Sequence, residues 1–263
     1  MLKKIFILTF TFIAIGCNAA ITPQPTPDDF EEYIGGATQI ALITAPTPTD
    51  VFTMPTAEAF DLEKQTVFRD DFVHYLKSGW VWVNEQANNW SLITQSGFLQ
   101  VNVLSGYFNL GNASNVLLLD APQDNFVIET SLVFDPEDSE QFAGLIALDS
   151  NQNFLQAGIG YCAPVVGCVG RGLYLDIYEN GALTLPRHAV PYSADNLYLR
   201  LTFEGKKVTL FSSQDNFSWF RTFETEIGFD ISRVGLIAAQ NNNVDSIPLS
   251  ALFDYFELSL LTP

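Results

Sequence analysis

Beyond Val67, apolar and polar residues alternate with a period of two along most of the chain. In NFVIETSLVF (Asn125 to Phe134), one side carries Phe126, Ile128, Thr130, Leu132 and Phe134, and the other Val127, Glu129, Ser131 and Val133. NLYLRLTF (Asn196 to Phe203) sets Leu197, Leu199, Leu201 and Phe203 against Tyr198, Arg200 and Thr202. GLYLDIYENG (Gly172 to Gly181) sets Leu173, Leu175 and Ile177 against Tyr174, Asp176 and Tyr178. It ends in Asn180-Gly181, a dipeptide suited to a two-residue hairpin turn because both positions tolerate positive φ. With FAGLIALDS, KKVTLFSS, RVGLIAAQ and ALFDYFELSL, about a dozen or more short strands are broken by turn residues, and no segment carries a convincing helical period. Half-buried strands without helices to cover them must bury their apolar faces on one another. The pattern therefore predicts an all-β fold, an antiparallel sandwich of two sheets.

The N-terminal residues read differently. Lys3 and Lys4 precede IFILTFTFIAIG (Ile5 to Gly16), an apolar run of the length of an export signal and too short to span a bilayer as a helix. AIGCN then places Ala14 and Gly16 before Cys17 and resembles the bacterial lipobox, in which the cysteine is acylated and becomes the mature N-terminus. An ordinary signal peptide cut near Ala19 or Ala20 is the alternative. The next stretch is rich in Pro and Thr, as in TPQPTP and APTPT, a composition that favours an extended tether, with IALITA (Ile40 to Ala45) the one apolar patch in it. The expected organisation is a signal over 1–17, a tether over 18–66 and one domain over 67–263. The expected location is the bacterial cell surface or periplasmic face, with the membrane met only through the lipid.

If Cys17 carries lipid, Cys162 and Cys168 are the only two thiols left in an oxidising compartment. Zinc wants four ligands, and neither His74 nor His188 is near the pair in sequence. A thioredoxin-type centre has two residues between its cysteines, not five. The expectation is a disulfide that pins a surface loop, worth about 2–3 kcal/mol by loop-closure entropy.

Composition narrows the partners. With 263 residues, 48% of them hydrophobic and 22 of them Phe, one large core is readily filled. A formal net charge of −18 repels phosphate backbones and excludes nucleic acid as an expected partner. It is compatible with neutral sugars or divalent cations.

The ordered series FRDDF (Phe68 to Phe72), GWVWVNE (Gly79 to Glu85), WSL, GFLQV, NVLLLDAP, NFVIET, FAGLIAL and NFLQAGI resembles the concanavalin A-like domain at the C-terminus of family 43 β-xylosidases and its stand-alone relatives. LYLRLTFEG, FSSQDNFSW, VGLIAA and FDYFEL continue it in the same order, so the likeness covers nearly all of Val67 to Leu260. It implies a two-sheet antiparallel jelly-roll sandwich, concanavalin A-like. It implies less about function, because lectins, glucanases and adhesive modules share the fold. Where many relatives have Gly after the turn Asp215, this chain has Asn216, which also tolerates left-handed geometry.

The outward positions carry the candidate chemistry. If LYLDIY and LYLRLTF lie in the same sheet, Tyr174, Asp176, Tyr178, Tyr198 and Arg200 gather on one face, joined by Glu129 and Gln156. Aromatic rings stack on the C–H faces of pyranoses while carboxylate, guanidinium and amide groups bind hydroxyls, so this set suits a saccharide. A solvated sheet face with an Asp176–Arg200 ion pair is the structural alternative. Glu129 with Asp176 also offers the carboxylate pair of a glycosidase, which must stand about 5–10 Å apart. Trp80, Trp82 and Trp90 lie among Val81, Val83 and Leu92 and are expected in the core, whereas Trp219 follows a polar turn. His74 beside Asp70 and Asp71 has no nucleophile motif with it. Asp70, Asp71 and Asp254 lie on the first and last strands, which are neighbours in such sandwiches; they either hold a structural Ca²⁺ or cap strand ends through backbone N–H groups. The expected role is a lipid-anchored protein that holds glycan at the cell surface. The alternatives are a glycoside hydrolase using the same face and a laminin-G-like module that binds protein.

Overall fold

The computed structural model describes residues 62–163, 167–240 and 249–262. The export signal, Cys17 and the tether as far as residue 61 lie outside the described residues. Within them the fold is two antiparallel sheets with no α-helix. The first sheet runs β15 (Phe220–Glu226), β14 (Lys207–Ser213), β13 (Asn196–Glu204), β7 (Phe126–Val133), β17 (Ser250–Leu261), β4 (Leu99–Asn102) and β3 (Trp90–Ser91), with β1 (Lys64–Asp70) also paired to β17. The second runs β11 (Ala182–Leu183), β10 (Gly170–Glu179), β9 (Phe154–Cys162), β8 (Gln141–Leu148), β16 (Arg233–Gln240), β6 (Val116–Asp120) and β2 (Val81–Val83). Beside this path, β12 (His188–Pro191) pairs with β10, and β5 (Leu104–Ser105) lies parallel to β16. The first strand, β1, begins inside the stretch read as tether.

The period-two reading places the core. Phe126, Ile128, Leu132, Leu173, Leu175, Ile177, Leu197, Leu199, Leu201 and Phe203 all point between the sheets into one cluster. Phe126 and Phe203, opposite each other on β7 and β13, stack with ring centroids 4.5 Å apart. Trp80, Trp82 and Trp90 are partly buried against this core, and Trp80 packs edge-on against Phe256 at 5.0 Å. Asn180 (φ +53) and Gly181 (φ +78) form the predicted hairpin turn, and Asn216 adopts φ +63.

A second cluster was not anticipated. On the outer side of the second sheet, Phe108, Val116, Leu118, Phe142, Ile146, Phe154, Tyr174 and Ile237 pack together, so this face is apolar on both sides. At its centre β8 and β9 meet at Gly144 and Gly158, which are register partners. A Cβ on either would stand 2.1 or 2.0 Å from a carbonyl oxygen of the neighbouring strand, an approach only glycine permits.

Candidate functional site

The outer face of the second sheet carries a buried cluster of polar and aromatic side chains. Strand alternation puts Tyr174, Asp176 and Tyr178 of β10 outward, and the β9–β10 register sets Asp176 opposite Gln156 and Tyr178 opposite Phe154. The face is roofed rather than open. The loop after β5 lays Phe108 on Phe154 with centroids 4.8 Å apart, and Gln152 Nε2 donates to its Asn109 carbonyl at 2.8 Å. On the other side, the Cys162–Cys168 disulfide closes the β9–β10 loop, as the cysteine spacing predicts. Residues 164–166 of that loop lie outside the described residues. Tyr174 OH accepts Val169 N–H at 3.2 Å and donates to the Gly170 carbonyl at 2.6 Å, tying the loop base to the sheet.

Asp176 is wholly buried, and its carboxylate is held by Arg187, which leads into β12. Arg187 Nε donates to Oδ1 at 2.5 Å and Nη2 to Oδ2 at 2.7 Å, and Gln156 Nε2 donates to Oδ2 at 3.3 Å. The guanidinium lies 4.4 Å from the Tyr174 ring centroid, and its Nη1 is 3.4 Å from Cys168 Sγ. Burial lowers the Arg187 pKa, but the Asp176 carboxylate more than reverses this, so the cation is secured. Tyr178 stacks on Phe154 at 4.4 Å and remains half-buried; burial, aided by the Asp176 charge, pushes its hydroxyl up to about 12. Glu140, at the end of the β7–β8 loop, interacts with both Arg187 and Asp176, and burial raises its carboxyl pKa. Tyr107, Glu140, Tyr178 and Arg187 keep partial exposure, while Leu110 and Leu185 stand exposed on the two neighbouring loops. The cluster therefore offers solvent an aromatic edge, the part-exposed Arg187 guanidinium fixed by the Asp176 carboxylate buried beneath it, and the further carboxylate of Glu140.

The predicted single face is corrected by the topology. Tyr198, Arg200 and Glu129 belong to β13 and β7 of the first sheet, so they face away from Tyr174, Asp176, Tyr178 and Gln156 across the whole sandwich. Alternation reads identically for outward positions of either sheet, which is why pattern alone merged them. Arg200 pairs not with Asp176 but with Glu129, its register partner, through Nε at 2.9 Å, and its guanidinium lies 3.9 Å from the Trp219 ring centroid. Lys64 contacts Glu129 and also Glu257 at 2.8 Å, and Arg69 reaches Glu257 at 2.8 Å and Asp71 at 2.8 Å. This network fastens β1 across β17 and β7. The Glu129–Asp176 carboxylate pair is likewise excluded: the sheets stand about 10 Å apart and the two side chains point in opposite directions.

Of the acids on the first and last strands, Asp70 caps. Asp70 accepts Phe72 N–H at 3.1 Å, Lys77 N–H at 2.8 Å and the Trp80 indole N–H at 2.9 Å, which occupies both of its oxygens. Asp71 pairs with Arg69, and Asp254 is raised in pKa by burial. Among the described residues, no three His, Cys, Asp or Glu side chains gather as metal ligands. His74 is exposed.

Arg187 escaped the sequence reading. A buried acid on a strand needs a counter-ion, and Arg187 and Arg200 are the two arginines between Asp176 and the end of LYLR. The nearer one returns beside Asp176 because the Asn180-Gly181 turn folds the chain back on β10, a local geometry that a hairpin supplies without any tertiary information.

The family described as the β-xylosidase C-terminal concanavalin A-like domain matches residues 69–259. Among solved structures, GH43 BlXynB of Bacillus licheniformis is similar with a TM-score of 0.64 at 22% identity, over 72% of this chain and 38% of that one. GH43B of the Bacteroides ovatus xyloglucan locus is similar with a TM-score of 0.63 at 17% identity, over 75% and 40%. The xylan β-1,4-xylosidase of Bacillus halodurans C-125 follows with a TM-score of 0.60 at 16% identity, over 72% and 38%. The chain thus spans about two fifths of the length of these proteins. None of the curated proteins matches it. Two sheets in this order, with the match running from the first strand to the last, place the chain in the family of β-xylosidase C-terminal concanavalin A-like domains.

Proposed function

We propose that this protein is a glycan-binding β-sandwich whose saccharide site is the outer face of the second sheet around Asp176. The observation that carries the reading is the wholly buried Asp176 carboxylate, fixed bidentately by Arg187 beneath the half-exposed Tyr178. The part-exposed Arg187 guanidinium, held in one geometry by the buried Asp176 beside the ring of Tyr178, supplies both elements of sugar recognition: a hydroxyl partner that needs no reorganisation and an aromatic surface for a pyranose. The similar structures include a xylan β-1,4-xylosidase and a xyloglucan-locus protein, which favours a plant-type neutral polysaccharide as the class to test. Hydrolysis is not part of the reading, because the carboxylates considered for it lie on opposite faces.

The same proposal includes export and anchoring through lipid on Cys17, supported by the Lys3-Lys4 start, the apolar run and the AIGCN segment. Cys17→Ser then releases the protein from the membrane fraction; sedimentation unchanged by the substitution would refute anchoring there. The site itself is tested by NMR titration with xylo- and gluco-oligosaccharides. Shifts confined to Tyr107, Gln156, Asp176, Tyr178 and Arg187 support it. Shifts on the Arg200–Trp219 face, or binding of protein partners with none of sugar, would refute it.

A further inference from the structure

The backbone at Glu140 is unusual. Among the described residues six non-glycine residues adopt positive φ: four are asparagines, which tolerate it, and Phe72 is anchored by complete burial in the core. The sixth is Glu140, at φ +70, a half-exposed residue with no such anchor. Its backbone N–H donates to the Tyr161 carbonyl at 2.7 Å, which holds the turn over the face of Asp176. Strain of this kind persists where the position of the side chain has a use.

The side chain points to that use. Glu140 Oε1 lies 3.5 Å from Cys162 Sγ, a disulfide sulfur with no hydrogen to donate. Among the described residues no N–H or O–H group donates to its carboxylate. Its charged and titratable neighbours are Arg187, whose Nε and Nη2 are committed to Asp176, then Asp176 itself, and Tyr174 and Tyr178. Two carboxylates thus stand against one guanidinium, leaving an excess negative charge and a half-exposed acceptor that no described protein group donates to. A sugar hydroxyl can take the place of water there as donor, whereas a uronate or sulfated sugar brings a like charge to the same place.

We infer that Glu140 is the specificity-determining residue of the site, accepting a hydroxyl of a neutral oligosaccharide and turning away anionic ones. This rests on the glycan-binding reading above. Glycine adopts positive φ without strain and asparagine tolerates it, so Glu140→Gly and Glu140→Asn separate binding from folding. The full-length protein and both variants are titrated calorimetrically with a xylo-oligosaccharide, a gluco-oligosaccharide and an oligogalacturonate, with melting temperatures in parallel. The expected result is wild-type binding of a neutral oligomer and none of the galacturonate. Both variants bind about tenfold or more weakly, the loss of one charge-assisted hydrogen bond, and Glu140→Gly melts no lower than wild type. Unchanged affinity in both variants while Tyr178→Ala loses binding would overturn the role of Glu140 and leave the site standing. Wild-type preference for the galacturonate would overturn the neutral class, and binding of no oligosaccharide would overturn both readings.

Discussion

Replacing Arg187 by Met tests whether Asp176 depends on its guanidinium. The substitution keeps an unbranched apolar stem against Tyr174 but removes the hydrogen bonds at 2.5 and 2.7 Å, leaving Asp176 only the Gln156 amide at 3.3 Å. Breaking a buried pair by removing one partner costs about 3–5 kcal/mol, because the remaining charge stays buried. The Arg187 side chain is 12% exposed against 0% for Asp176, so the lower end, about 3 kcal/mol, is expected. For a domain of this size that lowers the melting temperature by roughly 6–12 °C. The assay is urea unfolding of wild type, Arg187→Met, Asp176→Asn and the double variant. The double variant should recover much of the loss, since a neutral amide at position 176 no longer needs a cation. A loss below about 1 kcal/mol in Arg187→Met, or additive effects in the double variant, would refute the claim that the two residues act as one buried unit.

Two further predictions bear on the fold. Gly144→Ala drives a Cβ to 2.1 Å from the Ala157 carbonyl oxygen, so β8 and β9 cannot keep their register, and soluble expression with native circular dichroism would contradict this. Burial alone would raise the Glu257 pKa, but the Lys64 and Arg69 hydrogen bonds reverse this and hold its carboxyl at about 2, below its ordinary 4.5. A depressed carboxyl contributes stability that is present above its unfolded value and lost as pH falls through the folded one. Stability should therefore drop between about pH 4.5 and pH 2 by roughly 1–2 kcal/mol, discounted because its partners Lys64 and Arg69 stay partly exposed to solvent. Glu257→Gln should show a flatter acid limb in urea unfolding, and an identical acid limb would contradict the clamp.

The inward faces were legible because each strand states its own alternation: Leu173, Leu175 and Ile177 needed no partner to be assigned to the core. So was the disulfide, from two thiols and the absence of nearby histidine. The pairing of outward residues was not legible, because sheet membership is decided by long-range register. Tyr178 and Arg200 carry the same local signature, yet one lies on β10 and the other on β13 of the opposite sheet. The apolar outer cluster was also hidden, since Phe142, Phe154 and Tyr174 look outward until the loop carrying Phe108 is known to cover them. Asp70 shows a different limit: its sequence offers a cation ligand or a cap, and the three N–H donors that its oxygens accept come from residues that only the fold brings around it.

The central claim is that glycan binds at the outer face of the second sheet. Its most direct test is calorimetric titration of the full-length protein with xylo- and gluco-oligosaccharides, comparing wild type with Tyr178→Ala and Phe217→Ala. Phe217 is 86% exposed on the β14–β15 turn of the first sheet and controls for loss of any exposed aromatic ring. Removing one stacking ring is worth about 1–2 kcal/mol, so Tyr178→Ala should bind roughly 5- to 30-fold more weakly and Phe217→Ala as wild type does. Equal affinity in wild type and Tyr178→Ala, or loss confined to Phe217→Ala, would contradict it.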